Sequence, residues 1–148
     1  MKWSRPLLLS AIVFYIFYDI LSTLAAYKFL GSFQYEKSFL IRSAFDAAGI
    51  PGFIALKVAI SSIAIFTAYA LMECYSRLRT FGAGILAGAS AAGLFVGTSN
   101  FNILISGSSF WVLGLDSGAI AAAIIVLFAA GGLLLSVGYK PAPTIRHS

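Results

Sequence analysis

An aspartate inside an apolar run is the residue of this sequence best placed to do chemistry. Residues 14–27 read FYIFYDILSTLAAY, and Asp19 is the one charged residue among them. Placing a charged carboxylate at the centre of a bilayer costs about 2.5 to 3.5 kcal/mol on the insertion scale, so such a residue is expected to face other helices. A charged residue at this depth is also a candidate for a functional role. Its carboxyl group could carry a proton, pair with a cation, or serve as a general acid or base.

Hydroxyl groups and an amine are spaced to partner this carboxyl group. Ser22 and Thr23 lie one helical turn after Asp19, and we expect their hydroxyls to donate hydrogen bonds to it. Lys57 stands alone in the interior of the next apolar segment. Side chains lean toward the N-terminus of their own helix, and these two helices would run in opposite directions. The sequence therefore favours a lysine that reaches the membrane interface or Glu36 over a direct Asp19–Lys57 ion pair.

Two side-chain amides complete the polar set. The segment GTSNFN, residues 97–102, ends the third apolar stretch and contains Asn100 and Asn102. One interpretation is an outward-facing polar pocket. In a plainer interpretation, the amides bind the last carbonyl groups of their helix, and Asp19 only holds helices together through hydrogen bonds. The candidate polar site predicted from the sequence comprises Asp19, Thr23, Glu36, Lys57, Asn100 and Asn102.

Cysteine and histidine are too few for several kinds of site. Cys74 is the one cysteine, and His147, beside the C-terminus, is the one histidine. With one cysteine, the sequence excludes an internal disulfide and a Cys-rich metal site. With no histidine in the body of the chain, it also excludes a bis-His haem, a zinc protease site and a Ser-His triad. We therefore predict no catalytic residues, no metal and no bound cofactor, in a protein that is not an enzyme.

Composition indicates that lipid surrounds this chain. Hydrophobic residues make up 60% and charged residues 10% of its 148 residues, and the mean hydropathy is +0.95. No soluble core of this size could bury so much apolar surface. The net charge is +5, but the Lys and Arg residues are scattered and form no basic stripe for nucleic acid. The expected partners are the lipid bilayer and other membrane subunits or a second copy of the chain, and no nucleic acid.

Four stretches are long and apolar enough to span a membrane, namely residues 6–29, 52–75, 82–106 and 114–137. They predict an all-α membrane protein, an up-down bundle of four transmembrane helices that forms a single domain over residues 1–148. The polar tail, 139–148, is expected to be loosely ordered. In the first outer loop, the segment KSFLIRSAFDAAG predicts a short helix lying in the membrane interface.

Loop charges orient this bundle. Basic residues concentrate on the side of the N-terminus, where only Glu73 opposes them, whereas charges on the other side are mixed. Because Lys and Arg mark cytoplasmic loops, both termini are predicted to be cytoplasmic in a multi-pass protein of the cell membrane. The basic residues of this side are Lys2, Arg5, Arg77, Arg79, Lys140 and Arg146.

Small residues in the third stretch predict close helix packing. Gly84 and Gly88, and then Gly93 and Gly97, form two G-x-x-x-G motifs, which let helix backbones approach closely. Two motifs offset by part of a turn predict two tightly packed neighbours. We expect these contacts within one chain rather than across a homodimer seam.

The polar residues resemble those of a known family. Asp19-x-x-Ser22-Thr23, a loop Glu36, Phe53-x-x-x-Lys57 and an asparagine late in the third stretch are similar to the pattern of a family of small prokaryotic four-helix integral membrane proteins, known only as a domain of unknown function. The resemblance covers most of the first three stretches and implies a four-helix membrane fold with no known activity. That family follows the loop glutamate with x-Asn-Pro, where this chain has the letters KSF.

Three classes of function are open at this point. The favoured one is a non-catalytic membrane protein, an accessory or assembly subunit or a membrane-organising protein, with a polar interior site around Asp19 and Lys57. The alternative is a small proton- or ion-coupled carrier or channel that acts as an oligomer. The third is an intramembrane lipid-modifying enzyme, in which Asp19 is the acid or base and Lys57 holds an anionic head group.

Overall fold

Nearly all of the chain that the structure describes is helical. The computed structural model describes residues 3–33, 36, 38–112 and 114–138, so the predicted loose tail, 139–148, lies outside the described residues. In chain order the elements are α1 (Ser4–Ala11), a π-helix (Ile12–Tyr18), α2 (Asp19–Leu30), α3 (Phe39–Cys74), a 3-10 turn (Ser76–Leu78), α4 (Arg79–Ser106), β1 (Trp111–Val112), β2 (Leu115–Asp116) and α5 (Ser117–Gly138).

Four helical stretches are long and apolar enough to cross a membrane. We refer to them as the first to fourth long helices, and their bounds are Ser4–Leu30, Phe39–Cys74, Ser76–Ser106 and Ser117–Val137. The prediction of a helical chain with four such helices is confirmed. Length and local apolar content are enough to predict it, because both are properties of contiguous residues.

The second long helix is broken near its start. Gly49 has φ 64° and ψ −151°, a conformation that residues with a Cβ rarely adopt. Residues 39–48 therefore form a short helix of their own, which begins where Ser38 Oγ accepts a hydrogen bond from the Ile41 N–H at 3.5 Å. A short helix in this connection is what the sequence predicts. Its location in a membrane interface stays a prediction.

A small hairpin delays the start of the fourth long helix. Trp111 pairs with Asp116 and Val112 with Leu115 in antiparallel register. The sequence predicts that this helix begins at residue 114. It begins at Ser117 instead, because the residues before it are used in the hairpin. Asp116 Oδ1 caps the new helix by accepting a hydrogen bond from the Ala119 N–H at 2.8 Å.

The third long helix lies at the centre and packs against the other three. Its first G-x-x-x-G motif faces the fourth long helix. A Cβ added at Gly88 would lie 3.0 Å from both Ile125 Cα and Phe128 Cβ, and one at Gly84 would collide with the Phe128 carbonyl oxygen. The two backbones therefore touch at a distance that only glycine permits.

The second motif of the same helix faces the first long helix. Gly93 lies against the backbone of Phe14 and Tyr15, and Gly97 lies against the ring of Tyr18. The first and second long helices also contact each other. The first and second long helices thus meet on one side of the central helix, and that is where the polar residues come together.

Candidate functional site

A direct ion pair joins the first and second long helices. Lys57 Nζ lies 2.9 Å from Asp19 Oδ2, and the two side chains are only 13% and 11% exposed. The sequence favours a lysine that reaches the interface or Glu36 instead, and that prediction is wrong.

The Lys57 side chain leans in the direction expected for its helix. Its ammonium lies 5.3 Å from the centroid of the Phe53 ring, one turn toward the N-terminus of that helix. The same ammonium contacts the Asp19 carboxylate, and span lengths alone do not predict this contact.

Hydroxyl groups and an amide surround the carboxylate. The hydroxyls of Ser22 and Thr23 donate to the Asp19 backbone carbonyl at 3.0 Å and 2.7 Å, and Thr23 approaches Asp19 Oδ1 only at 3.4 Å. The sequence predicts that these hydroxyls bond to the carboxylate. They bond mainly to the backbone carbonyl instead, as Ser and Thr commonly do in helices. Asn100 Nδ2 donates to Ser22 Oγ and Thr23 Oγ1, both at 3.1 Å, and ties the third long helix to the first.

A π-helix directly precedes the aspartate. Residues Ile12–Tyr18 have this wider form, and Asp19 is the first residue after it. A π segment takes more residues per turn than an α-helix, so it changes which residues before Asp19 share its face. Sequence reasoning missed it, because an apolar run such as IVFYIFY carries no signal for π geometry. Gly93 and Gly97 supply the flat surface against which this segment packs.

A cavity of about 530 Å³ opens next to the ion pair. It lies at the end of the bundle where the connection between the first two long helices meets the connection between the last two. Of the described residues that line it, Asp19, Glu36 and Asp116 are acidic and Lys57 is basic. The remaining lining residues are Thr23, Ser38, Val96, Asn100, Ile103, Ser109, Ser117, Gly118 and Ala119.

The two candidate asparagines differ in their relation to the cavity. Asn100 and Glu36 line it, together with Asp19, Thr23 and Lys57. Asn102 does not. Its Nδ2 donates to Ser106 Oγ at 2.8 Å and to the Ser108 carbonyl at 2.9 Å, so it serves the end of its own helix, as in the plainer interpretation.

Several residues of the cavity wall are absent from the predicted site. Ser38, Ser109 and Asp116 come from the two connections, and Ser117 begins the fourth long helix. A signal for one of them exists in the sequence, since an aspartate before a run of small residues favours a helix N-terminus. Among the described residues, no group of three His, Cys, Asp or Glu side chains could hold a metal ion.

A second cavity, of about 600 Å³, lies toward the opposite end of the third and fourth long helices. Apart from Thr80, its walls are apolar or small: Leu7, Ala83, Gly84, Ala87, Leu127, Phe128, Gly131, Gly132 and Leu135. We call it the apolar groove.

Known proteins do not identify the chain. It matches no protein-family model, no curated protein and no solved structure. The resemblance to a family of small four-helix membrane proteins therefore stays a prediction.

Proposed function

We propose that this chain is a non-catalytic multi-pass protein of the cell membrane that binds a small polar solute in the cavity beside Asp19. The observation that carries the proposal is the cavity of about 530 Å³ that ends on the buried Asp19–Lys57 ion pair. That volume lies within the range of about 300 to 1,000 Å³ typical of small-molecule sites.

The exposed surface supports placement in a membrane. The fourth long helix exposes large apolar side chains along its length, Leu134 at 75% and Leu127 at 70% among them. An apolar surface of that extent on a water-soluble monomer would be unusual, whereas lipid solvates it without penalty.

Charge distribution supports the orientation. Arg77 and Arg79 lie at the start of the third long helix, at the same end of the bundle as Arg5. If this end is cytoplasmic, the cavity opens to the opposite, non-cytoplasmic side. A solute would then enter from outside the cytoplasm.

The buried ion pair itself supports a functional role. Replacing a buried pair with apolar residues of similar volume is often neutral or stabilising, so such a pair is weak evidence for a purely structural purpose. Here the pair adjoins an open cavity instead of a closed contact, and its charges are available to attract a polar solute.

Accessibility of single cysteines to a charged, membrane-impermeant thiol reagent tests this proposal in intact cells. Cys74→Ser removes the one native cysteine, and Val96→Cys then places a thiol of similar size in the cavity wall. Leu94→Cys is the matched control, because Leu94 is exposed on the same helix but does not line the cavity. We expect labelling of Val96→Cys from outside and none of Leu94→Cys.

Cys74 in the unmodified chain reports the orientation. We expect it to be labelled only after the membrane is permeabilised, since it lies at the end of the second long helix that is proposed to be cytoplasmic. A Val96→Cys variant that is inert from outside would overturn the proposed cavity.

The apolar groove favours a second candidate function, that of an accessory subunit. Its small residues, Gly131 among them, leave space that an apolar partner helix could fill. Purification in mild detergent tests this candidate, because a chain that always elutes alone contradicts it.

A further inference from the structure

Asn100 presents an unpartnered polar atom to the cavity. The residue is only 8% exposed, and it lines the cavity beside Asp19 and Lys57. Its amino group donates to Ser22 and Thr23, but its carbonyl oxygen, Oδ1, has no hydrogen-bond partner among the described residues. No fully buried side-chain polar atom of the described residues lacks a hydrogen-bond partner, so this oxygen is accessible from the cavity and can accept a hydrogen bond there.

The hydrogen-bond network fixes which end of the Asn100 amide faces the cavity. Ser22 has one hydroxyl proton and donates it to the Asp19 carbonyl at 3.0 Å. Its oxygen can therefore only accept from the third long helix, and only the amino end of Asn100 can donate to it. The Thr23 hydroxyl, which donates to the same carbonyl at 2.7 Å, imposes the same orientation. Oδ1 is the part of the amide that remains for the cavity.

The lining of the cavity is thus rich in hydrogen-bond acceptors. Asn100, Asp19 and Glu36 all line it. The one basic side chain among the described lining residues, Lys57, is already paired with Asp19. A solute must therefore bring hydrogen-bond donors, and preferably positive charge, to satisfy these acceptors.

The protein also shows that an ammonium group fits these acceptors. Lys57 Nζ is itself an ammonium, 2.9 Å from the carboxylate and 5.3 Å from the centroid of the Phe53 ring. Carboxylate oxygens and an aromatic face are ordinary surroundings for such a cation. A second ammonium, from a solute, would find the amide oxygen and a further carboxylate close by.

We propose that the solute is a small molecule with a primary ammonium group, an amine or an amino acid-like zwitterion, which donates to Asn100 Oδ1. This inference rests on the proposed solute-binding function and specifies its ligand class. In a zwitterion, the carboxylate would face Lys57, the cationic group of the same cavity.

Thermal unfolding of the purified protein in lipid nanodiscs tests the ligand class. The probes are propylammonium and β-alanine, compared at equal ionic strength with propionate, 1-propanol and sodium chloride. We expect a concentration-dependent rise in Tm with the two ammonium compounds and none with the other three.

Variants locate the contact. Asn100→Leu should weaken propylammonium binding about ten- to hundredfold, as expected for loss of a charge-assisted hydrogen bond. Asn102→Leu is the matched control and should leave the affinity unchanged, because Asn102 lies outside the cavity. Should Asn100→Leu fail to fold, Glu36→Gln, at the end of the bundle, should still weaken binding.

The outcomes separate this inference from the function on which it rests. Stabilisation by propionate or 1-propanol alone overturns the ammonium ligand while leaving a solute-binding cavity. Equal stabilisation by sodium chloride overturns it in favour of a monovalent cation. If no probe binds although Val96→Cys is labelled from outside, the ligand class is wrong. If Val96→Cys is also inert, both proposals fail.

Discussion

The central helix is held in two different ways on its two sides. Toward the fourth long helix it has a small-residue contact, in which Gly84 and Gly88 bring two backbones together. Toward the first and second long helices it has a polar contact, in which Asn100 binds Ser22 and Thr23 beside the Asp19–Lys57 pair.

The two contacts adjoin spaces of different chemistry, a polar cavity beside the ion pair and the apolar groove beside the glycines. Glycines remove side-chain volume, so helix surfaces close upon each other and gain dispersion energy, the main attraction available between helices in lipid. Charged and amide side chains hold helices through directed bonds at longer range, and a cavity of about 530 Å³ remains beside them. We infer that the small-residue contact serves stability and the polar contact serves binding.

The largest expected effect comes from removing one member of the ion pair. Asp19→Ala should lower the free energy of unfolding by about 3 to 5 kcal/mol, because it leaves the buried Lys57 ammonium without its counter-ion. Unfolding in lipid bicelles measures this. A loss below about 1 kcal/mol would mean that water from the cavity already solvates the pair.

The next effect concerns the small-residue contact. Gly88→Leu should cost about 1 to 3 kcal/mol, because the new side chain meets Ile125 and Phe128. Gly131→Leu is the matched control and should be close to neutral, since no atom of the described part of the chain lies within 4 Å of a Cβ built at Gly131. If Gly88→Leu instead dissociates an oligomer while each monomer keeps its stability, this surface joins copies of the chain.

Removing both charges tests whether the polar contact serves solute binding. The double variant Asp19→Asn with Lys57→Met should be more stable than the sum of the single changes implies, with a coupling free energy of about 0.5 to 3 kcal/mol. Unfolding of the four chains of this cycle gives that value. We expect the double variant to fold but to lose the rise in Tm with propylammonium, and retained binding would contradict the role of the pair.

The smallest effect tests a polar bond away from the cavity. Ser10 Oγ and Ser90 Oγ lie 2.9 Å apart and link the first and third long helices. Ser90→Ala should cost about 0.6 kcal/mol, the average for such bonds between membrane helices. Ser136→Ala is the control, because among the described residues the Ser136 hydroxyl bonds only to the Leu133 carbonyl of its own helix. An equal effect of both changes would show that the bond between the serines contributes nothing.

Sequence reasoning reached the helices of this protein more completely than its cavity. The presence of four long apolar helices follows from apolar length. Five candidates from the sequence also line the cavity, namely Asp19, Thr23, Glu36, Lys57 and Asn100. Whether they act as a site stays a prediction. Asp116 and Ser109 were missed, because they come from connections that only the folded chain brings beside Asp19.

The sequence by itself determined that four apolar helices form, because helix length, hydropathy and glycine spacing are read along one continuous segment. Only the tertiary structure decided that Lys57 meets Asp19 and that Asn100, rather than Asn102, faces the cavity. These depend on the rotation and register of one helix against another. A π segment or a kink such as that at Gly49 changes both without altering the apolar pattern of the residues.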